Sequence, residues 1–538
     1  MKRRNFLKKS SLAGIAASTF SLLPVLSEAE QSSGKEKTAE LFELSEISIT
    51  ELQKKFQSGR LTSVAVTKMY LDRISKIDHA GPHLKSVLKI NPDALTIAAS
   101  LDAERKSGKV RGPLHGIPVL LKDNIETGDQ MPTTAGSLAL AENRAAHDAF
   151  IVDKLRKAGA VILGKTNLSE WANFRSTKST SGWSSVGGQT LNPYYLDRNP
   201  LGSSSGSAVA VSANLCAVAV GTETDGSIVA PAGVNGIVGI KPTVGLISRS
   251  GIIPISNAQD SAGPMGRTVR DAAILLGILA GQDASDHATS GNSNVNVNYE
   301  SFLRPDYLKG KRIGVERSLT IKNDPLHALF LSAIRKMEDA GAIIVDVELM
   351  EQFNGLDAKE FEMMKYEFKD GINRYLASTN GSVRNLASLI EFNNHHADKV
   401  MPYFKQEIFE SAEQKGDLNS KEYLDDSVFI LRKAQEIIRT TLQSKQLDAL
   451  SGITLGPACS IDLIYGDKTG DIYFGTPSAI AGFPHITVPC GRVYDLPVGL
   501  SFCGDAYSES GLIGMAYAFE QLTMHRKPPE FQPHLNLG

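Results

Sequence analysis

The stretch from 199 to 245 constrains the fold more than any other part of the chain. Asn199-Pro-Leu-Gly-Ser-Ser-Ser-Gly-Ser207 is a Ser/Gly loop, Ala208 to Leu215 is small and apolar, and Ala217-Val-Ala-Val220 reads as a buried strand. A second small-residue loop, Gly221-Thr-Glu-Thr-Asp-Gly-Ser227, follows at once. A short apolar run bounded by glycine suits a sheet buried on both faces. The same alternation recurs elsewhere. Ser48-x-x-Glu51 is a capping box for a helix ending near Gly59, and Ser63 to about Ile77 sets Val66, Met69, Tyr70 and Ile74 on one helical face. Gly116-Ile-Pro-Val-Leu-Leu-Lys122 is an apolar run ending in lysine, residues 145–158 read as a helix closed by Gly159, and Ala160-Val-Ile-Leu163 as a strand. The pattern predicts an α/β protein with helices on both faces of the sheet.

Composition sets the outer bounds. The 538 residues are 42% hydrophobic and 22% charged, with a formal charge of −2 and a mean hydropathy of −0.13. This excludes a mostly disordered, fibrous or multi-span membrane protein, and no basic surplus points to nucleic acid. The N-terminus is a separate matter. Lys2-Arg-Arg-Asn-Phe-Leu-Lys8, the mildly apolar run from about Leu12 to Leu26, and Ser27-Glu-Ala29 resemble a twin-arginine export signal with a cleavage site. The expectation is a signal over 1–29, a flexible linker over 30–42, and a periplasmic or secreted protein with no stable membrane anchor after cleavage. The first 29 residues carry a net +4, which leaves −6 on the remainder. Cys216, Cys459, Cys490 and Cys503 form no C-x-x-C pair and have small or apolar neighbours, so they read as buried thiols. From about 284 to 300 the chain is Asn/Ser-rich, a candidate linker or exposed loop. Residues 356–445 are charged and helical in period, a candidate lobe.

Several motifs fit known patterns but fail on context. Gly159-Ala-Val-Ile-Leu-Gly-Lys165-Thr166 matches a P-loop, yet its interior is a strand and a helix precedes it, the reverse of what phosphate binding needs. Gly202-x-Ser204-x-Gly206 matches a nucleophile elbow, but Asn192 to Pro200 is polar with two prolines and cannot be the central strand before it. Ser86-x-x-Lys89 would need to open a buried helix, whereas Val87-Leu-Lys-Ile90 reads as extended. No His/Cys/Asp/Glu cluster has metal-ligand spacing, so no metal or cofactor is expected. His395 and His396 read as surface residues, and His485 as a core histidine.

The chemistry lies in Lys122 at the end of an apolar strand, Ser203 and Ser204 in one Ser/Gly loop, and Ser227 in the other, 24 residues after Ser203. A serine hydroxyl needs a base, and no histidine lies near either loop in sequence, which leaves a lysine. Lysine serves only if burial lowers its pKa well below ~10.4, and Val119-Leu-Leu121 supplies an apolar approach.

These residues carry a resemblance. Lys122, Gly202-Ser-Ser-Ser-Gly-Ser207, Thr222-Glu-Thr-Asp-Gly-Ser-Ile228, Lys165-Thr-Asn-Leu168, Gly239-Ile-Lys-Pro-Thr243, Gly263-Pro-Met265 and Pro497-Val-Gly-Leu500 resemble the amidase signature family. The likeness covers roughly 45–285 and 447–525. It is nearest to the exported bacterial peptide amidases through Asn167-Leu-Ser-Glu-Trp-Ala-Asn-Phe-Arg175, the triple serine, and Val229 where many relatives carry Arg. The resemblance implies a large mixed twisted sheet, with a signature core over 43–285 and 447–528 and a mainly helical insertion over 286–446. It also implies a Ser-Ser-Lys triad: Ser227 the acyl nucleophile, Ser203 the bridge after a non-proline cis peptide from Gly202, and Lys122 the base. The backbone N–H groups of Thr224, Asp225, Gly226 and Ser227 would form the oxyanion hole, with Ser204, Trp171 and Asn173 as pocket candidates. Implied substrates are carboxamides, above all C-terminal peptide amides. Other amides or esters, and the glutamine-hydrolysing component of a tRNA-dependent amidotransferase, are the alternatives.

Overall fold

The computed structural model describes residues 42–292, 294 and 297–536. The export-signal and linker expectations for 1–42 lie almost wholly outside that range. Among the described residues thirteen strands form in chain order: β1 Val87–Ile90, β2 Pro118–Lys122, β3 Val161–Thr166, β4 Trp183–Ser184, β5 Gly188–Gln189, β6 Val218–Glu223, β7 Val238–Lys241, β8 Ser261–Gly266, β9 Arg312–Glu316, β10 Ile343–Val347, β11 Ala449–Ile453, β12 His485–Val493 and β13 Leu496–Cys503. β4 and β5 make a small hairpin, and the other eleven make one sheet in the order β1-β3-β2-β6-β8-β7-β12-β13-β11-β9-β10. β3, β2 and β6 run parallel, as do β11, β9 and β10, while the remaining pairs are antiparallel. The sheet is therefore mixed, as the family resemblance implies.

Every residue of β2, β3, β6, β7, β8, β11 and β13 is buried. Side chains alternate between faces along a strand, so uninterrupted burial means both faces are covered. The apolar runs of the sequence encode this. The Ser48–Glu51 capping box opens the helix Ile49–Gln57 as expected, and the next helix, Ser63–Arg73, ends in a π-turn over Ile74–Asp78. The helix Ser205–Ser212 consists of small residues because it presses on the sheet. The Ser207 hydroxyl bonds the Thr166 hydroxyl at 2.7 Å, and a Cβ on Gly206 would lie 2.6 Å from the Asn167 backbone nitrogen.

The segment 286–446 holds the long helices Leu356–Ser378 and Lys421–Ser444. It also supplies β9 and β10, which extend the main sheet at one edge. Buried side chains of those helices, among them Phe368, Ile372 and Ile430, join Trp171, Phe174 and Phe474 in one apolar cluster. The polar stretch from 284 to 300 is not a free linker over its described residues. Arg249 donates to Asp286 at 2.6 and 2.9 Å, and Asn292 donates to the carbonyls of Gly245 and Leu246 at 3.2 and 3.1 Å. Asn side chains stand in for backbone partners there, so low hydropathy does not mean exposure. All four cysteines are free thiols, Cys459 partly exposed and the others buried.

Candidate active site

The site forms at the carboxyl ends of parallel strands β2 and β6, where a sheet of this kind leaves a crevice. Lys122 is the last residue of β2 and is fully buried. Its Nζ lies 2.8 Å from Ser203 Oγ, 2.9 Å from Thr222 Oγ1 and 3.1 Å from the Thr222 carbonyl. Burial pushes the Lys122 pKa down to about 7, against the opposing pull of Asp260 and Glu223. A neutral amine has two N–H donors and one lone pair. The two oxygens of Thr222 can take the donors, which leaves the lone pair for the Ser203 hydroxyl.

Gly202–Ser203 is a cis peptide. Ser203 is buried, and its carbonyl accepts from Ser169 N–H at 3.1 Å. The two serine loops meet through Ser204, whose N–H donates to the Ser227 carbonyl at 3.1 Å. Its hydroxyl donates to the Thr222 carbonyl at 3.0 Å. Ser204 thus sits between the loops, fully buried. Ser227 retains 7% exposure. Among the described residues, the hydroxyls of Ser203 and Ser227 share no hydrogen bond, so the structure joins Lys122 to Ser203 directly and Ser227 to that pair only through the backbone. The N–H groups of Thr224, Asp225, Gly226 and Ser227 also find no protein acceptor among the described residues. Four adjacent unpaired donors are rare in a folded chain and can receive an anion. Gly226, at φ +81°, gives the loop its turn.

Carboxylates flank this loop. The Thr224 hydroxyl donates to Asp260 at 2.5 Å, and burial pushes Asp260 up to about 6. Glu223 accepts from the N–H groups of Ile228 and Val229 at 2.7 and 2.9 Å. Asp225 accepts from Tyr473 and Thr476. A cavity of about 390 Å³ opens beside Thr222 and Thr224, lined also by Asn124, Arg249, Asp260 and Tyr375. Asn124 donates to Thr222 Oγ1 at 3.0 Å, while its own buried Oδ1 has no partner among the described residues.

The segment Asn167–Arg175 connects the serine loops to the helical region. Asn167 accepts from Ser184 at 2.7 Å and donates to Thr190 at 2.9 Å. Trp171 is buried and packs edge-on against Phe409, so it belongs to the apolar cluster, while its neighbour Ala172 lines the cavity. Asn173 donates to Ser181 at 3.0 Å, and a Cβ on Gly202 would lie 3.2 Å from that same Ser181 hydroxyl. Glu170 and Arg175 form a fully buried pair at 2.8 Å, with the guanidinium 4.4 Å from the Phe404 ring. Thr222, Asn124 and Tyr473 are contacts that sequence reading missed as individual residues. Thr222 lies 100 positions from Lys122 and Tyr473 lies 248 from Asp225, so no local spacing signals them. The decoys behave as their context predicts: β3 runs through the P-loop match, and Lys89 lies on β1 with Ser86 bonded to Asp78. His395 and His396 are exposed, and His485 is buried against Ser501.

Comparison with known proteins places the chain. Residues 65–513 match the Amidase family. A native peptide amidase from Stenotrophomonas maltophilia is 48% identical, with a TM-score of 0.87 over 91% of this chain and 99% of that one. A probable amidase of Arabidopsis thaliana is 42% identical over 91% of this chain and 92% of its own length. A putative amidase of Schizosaccharomyces pombe is 37% identical over 91% of this chain and 88% of its own length. The chain belongs to the Amidase family and is an amide-hydrolysing enzyme.

Proposed function

We propose that the enzyme hydrolyses carboxamides to acid and ammonia through an acyl-enzyme on Ser227, and that C-terminal peptide amides are its substrates. The observation that carries the reading is the buried Lys122–Ser203 contact at 2.8 Å, with hydroxyl and carbonyl oxygens as the amine's hydrogen-bond partners among the described residues. Ser227 Oγ attacks the amide carbon and gives its proton to Ser203, which gives its own to Lys122. Catalytic hydrogen bonds often tighten only in the substrate complex, and the Ser203–Ser227 link has to close there. The carbonyl oxygen, now an anion, takes the N–H groups of Thr224 to Ser227, each such donor contributing up to ~10²–10³ in rate. Reverse transfer protonates the departing ammonia, and water then cleaves the ester. The peptide substrate is supported by the 48% identity to a peptide amidase.

Ammonia release from a C-terminal peptide amide tests the reading. It should vanish in Ser227→Ala and Lys122→Ala, and undiminished turnover in either rejects the triad. A panel of peptide amides, free glutamine, aryl amides and esters tests the substrate, and preference for a non-peptide member would replace the peptide. We further read Lys2–Ala29 as an export signal, on its paired arginines and small-x-small end. Loss of periplasmic activity in Arg3→Lys/Arg4→Lys cells would support this, and unchanged activity there would refute it.

A further inference from the structure

The loop that carries the four unpaired N–H groups is gripped from outside by a segment 248 residues further on. The Tyr473 hydroxyl donates to Asp225 Oδ1 at 2.5 Å, and the Thr476 hydroxyl donates to Oδ2 at 3.0 Å. Both carboxylate oxygens are thus engaged, which fixes the side chain's plane as well as its place. The Tyr473 ring also lies against the next residue: a Cβ on Gly226 would stand 2.6 Å from its hydroxyl. Tyr473 is itself anchored, since it bridges to Leu455 just beyond β11 and the Phe474 N–H donates to the Thr454 carbonyl at 3.1 Å.

Two physical needs meet at this point. A glycine in the left-handed region leaves the Asp225–Gly226 peptide little internal restraint, whereas donors stabilise a developing anion only if they are aimed beforehand. In addition, a carboxylate beside an oxyanion site opposes the charge that must form there. Two hydroxyl donors hold that carboxylate on Tyr473 and Thr476. Burial pushes the Asp225 carboxyl up, and these two hydroxyls pull it back. Glu360, on the helix Leu356–Ser378 and held by Gln259 at 2.5 Å, is pushed well up by burial first and by the charge of Asp225 second.

We propose that Tyr473 and Thr476 are positioning residues that aim the Thr224–Ser227 N–H groups by clamping the Asp225 carboxylate. This rests on the reading of Ser227 as the acyl nucleophile. The probe is a peptide aldehyde compared with the matching peptide alcohol. Ser227 Oγ adds across the aldehyde C=O, the π bond breaks, and the former carbonyl oxygen faces the aimed donors, its charge balanced by the serine proton held on Lys122. The alcohol binds the same subsites but has no C=O for Ser227 to add to, so it forms no adduct and no oxyanion. In Tyr473→Phe, aldehyde affinity and kcat should fall together by about tenfold to a hundredfold, the scale of a small misplacement of aligned groups. Alcohol affinity and KM should stay within about twofold. Thr476→Val should show the same split at about three- to tenfold, and it stands in if Tyr473→Phe does not fold. Equal loss of aldehyde and alcohol, or no loss of either, overturns the inference. If the wild type forms no adduct on Ser227, the nucleophile assignment fails instead. An intact adduct with no split in the variants rejects the clamp alone.

Discussion

Lys122 and Lys165 stand at the carboxyl ends of adjacent parallel strands, both fully buried, yet their surroundings suit them to opposite tasks. Lys165 Nζ has the Asp123 carboxylate 3.9 Å away, the Ile125 carbonyl at 2.6 Å and the Thr133 hydroxyl at 2.7 Å. Among the described residues, Lys122 meets two hydroxyls and a carbonyl and no carboxylate within bonding distance. Burial pushes both ammonium groups down, and carboxylates pull both back: Asp260 and Glu223 act on Lys122 from beyond contact, whereas Asp123 acts on Lys165 at 3.9 Å. One amine is locked into a structural pair. The other is left able to take and return a proton. The lesson is that burial alone does not set a lysine's task, and the groups in direct contact with the amine do.

The largest test of this contrast is Lys122→Met, which should cut turnover by ~10³-fold or more while the protein stays folded, measured by ammonia release and circular dichroism. Lys165→Met should do the reverse. It strands Asp123, already pushed up to about 6 by burial, and should cost about 3–5 kcal/mol in denaturant unfolding. If Lys165→Met is as stable as the parent, the two lysines are not distinct in kind. The third test is pH. Lys122 must be neutral to accept a proton, so kcat/KM should rise about tenfold per unit below pH 7 and level above it. Stability follows the same group. The folded protein releases this proton near pH 7 and the unfolded chain near ~10.4, so the unfolded chain binds more protons in between. Stability should therefore rise with pH across that window, and Lys122→Met should flatten the rise. The smallest effect is expected at His485. Burial pushes it down to about 3, so it stays neutral at working pH, and His485→Gln should leave the midpoint of the activity profile in place.

Much of this arrangement is legible in the sequence because it is local. Val119-Leu-Leu121 announces the apolar approach to Lys122, and the two Ser/Gly loops announce tight packing around Ser203 and Ser227. What stays hidden depends on contacts across the fold. The Lys165–Asp123 pairing joins β3 to the turn after β2, and the Asp225 clamp joins the second loop to residue 473. The segment 284–300 reads as exposed from its composition, whereas its polar side chains bond inward. Trp171, Ala172 and Asn173 lie at φ +51°, +53° and +71°, a left-handed run that no glycine advertises.

The antiparallel hairpin of β12 and β13 occupies the middle of the sheet, between β7 and β11. Its residues, 485 to 503, follow every other strand of the sheet in the chain. Until they arrive, the growing polypeptide holds two unsatisfied interior edges that would otherwise never see solvent. Pairings between strands so far apart in sequence are the slow ones to close. A chain in which the hairpin has not docked is therefore open to edge-to-edge association, and a truncation just short of residue 485 should yield insoluble protein rather than a weakly active core.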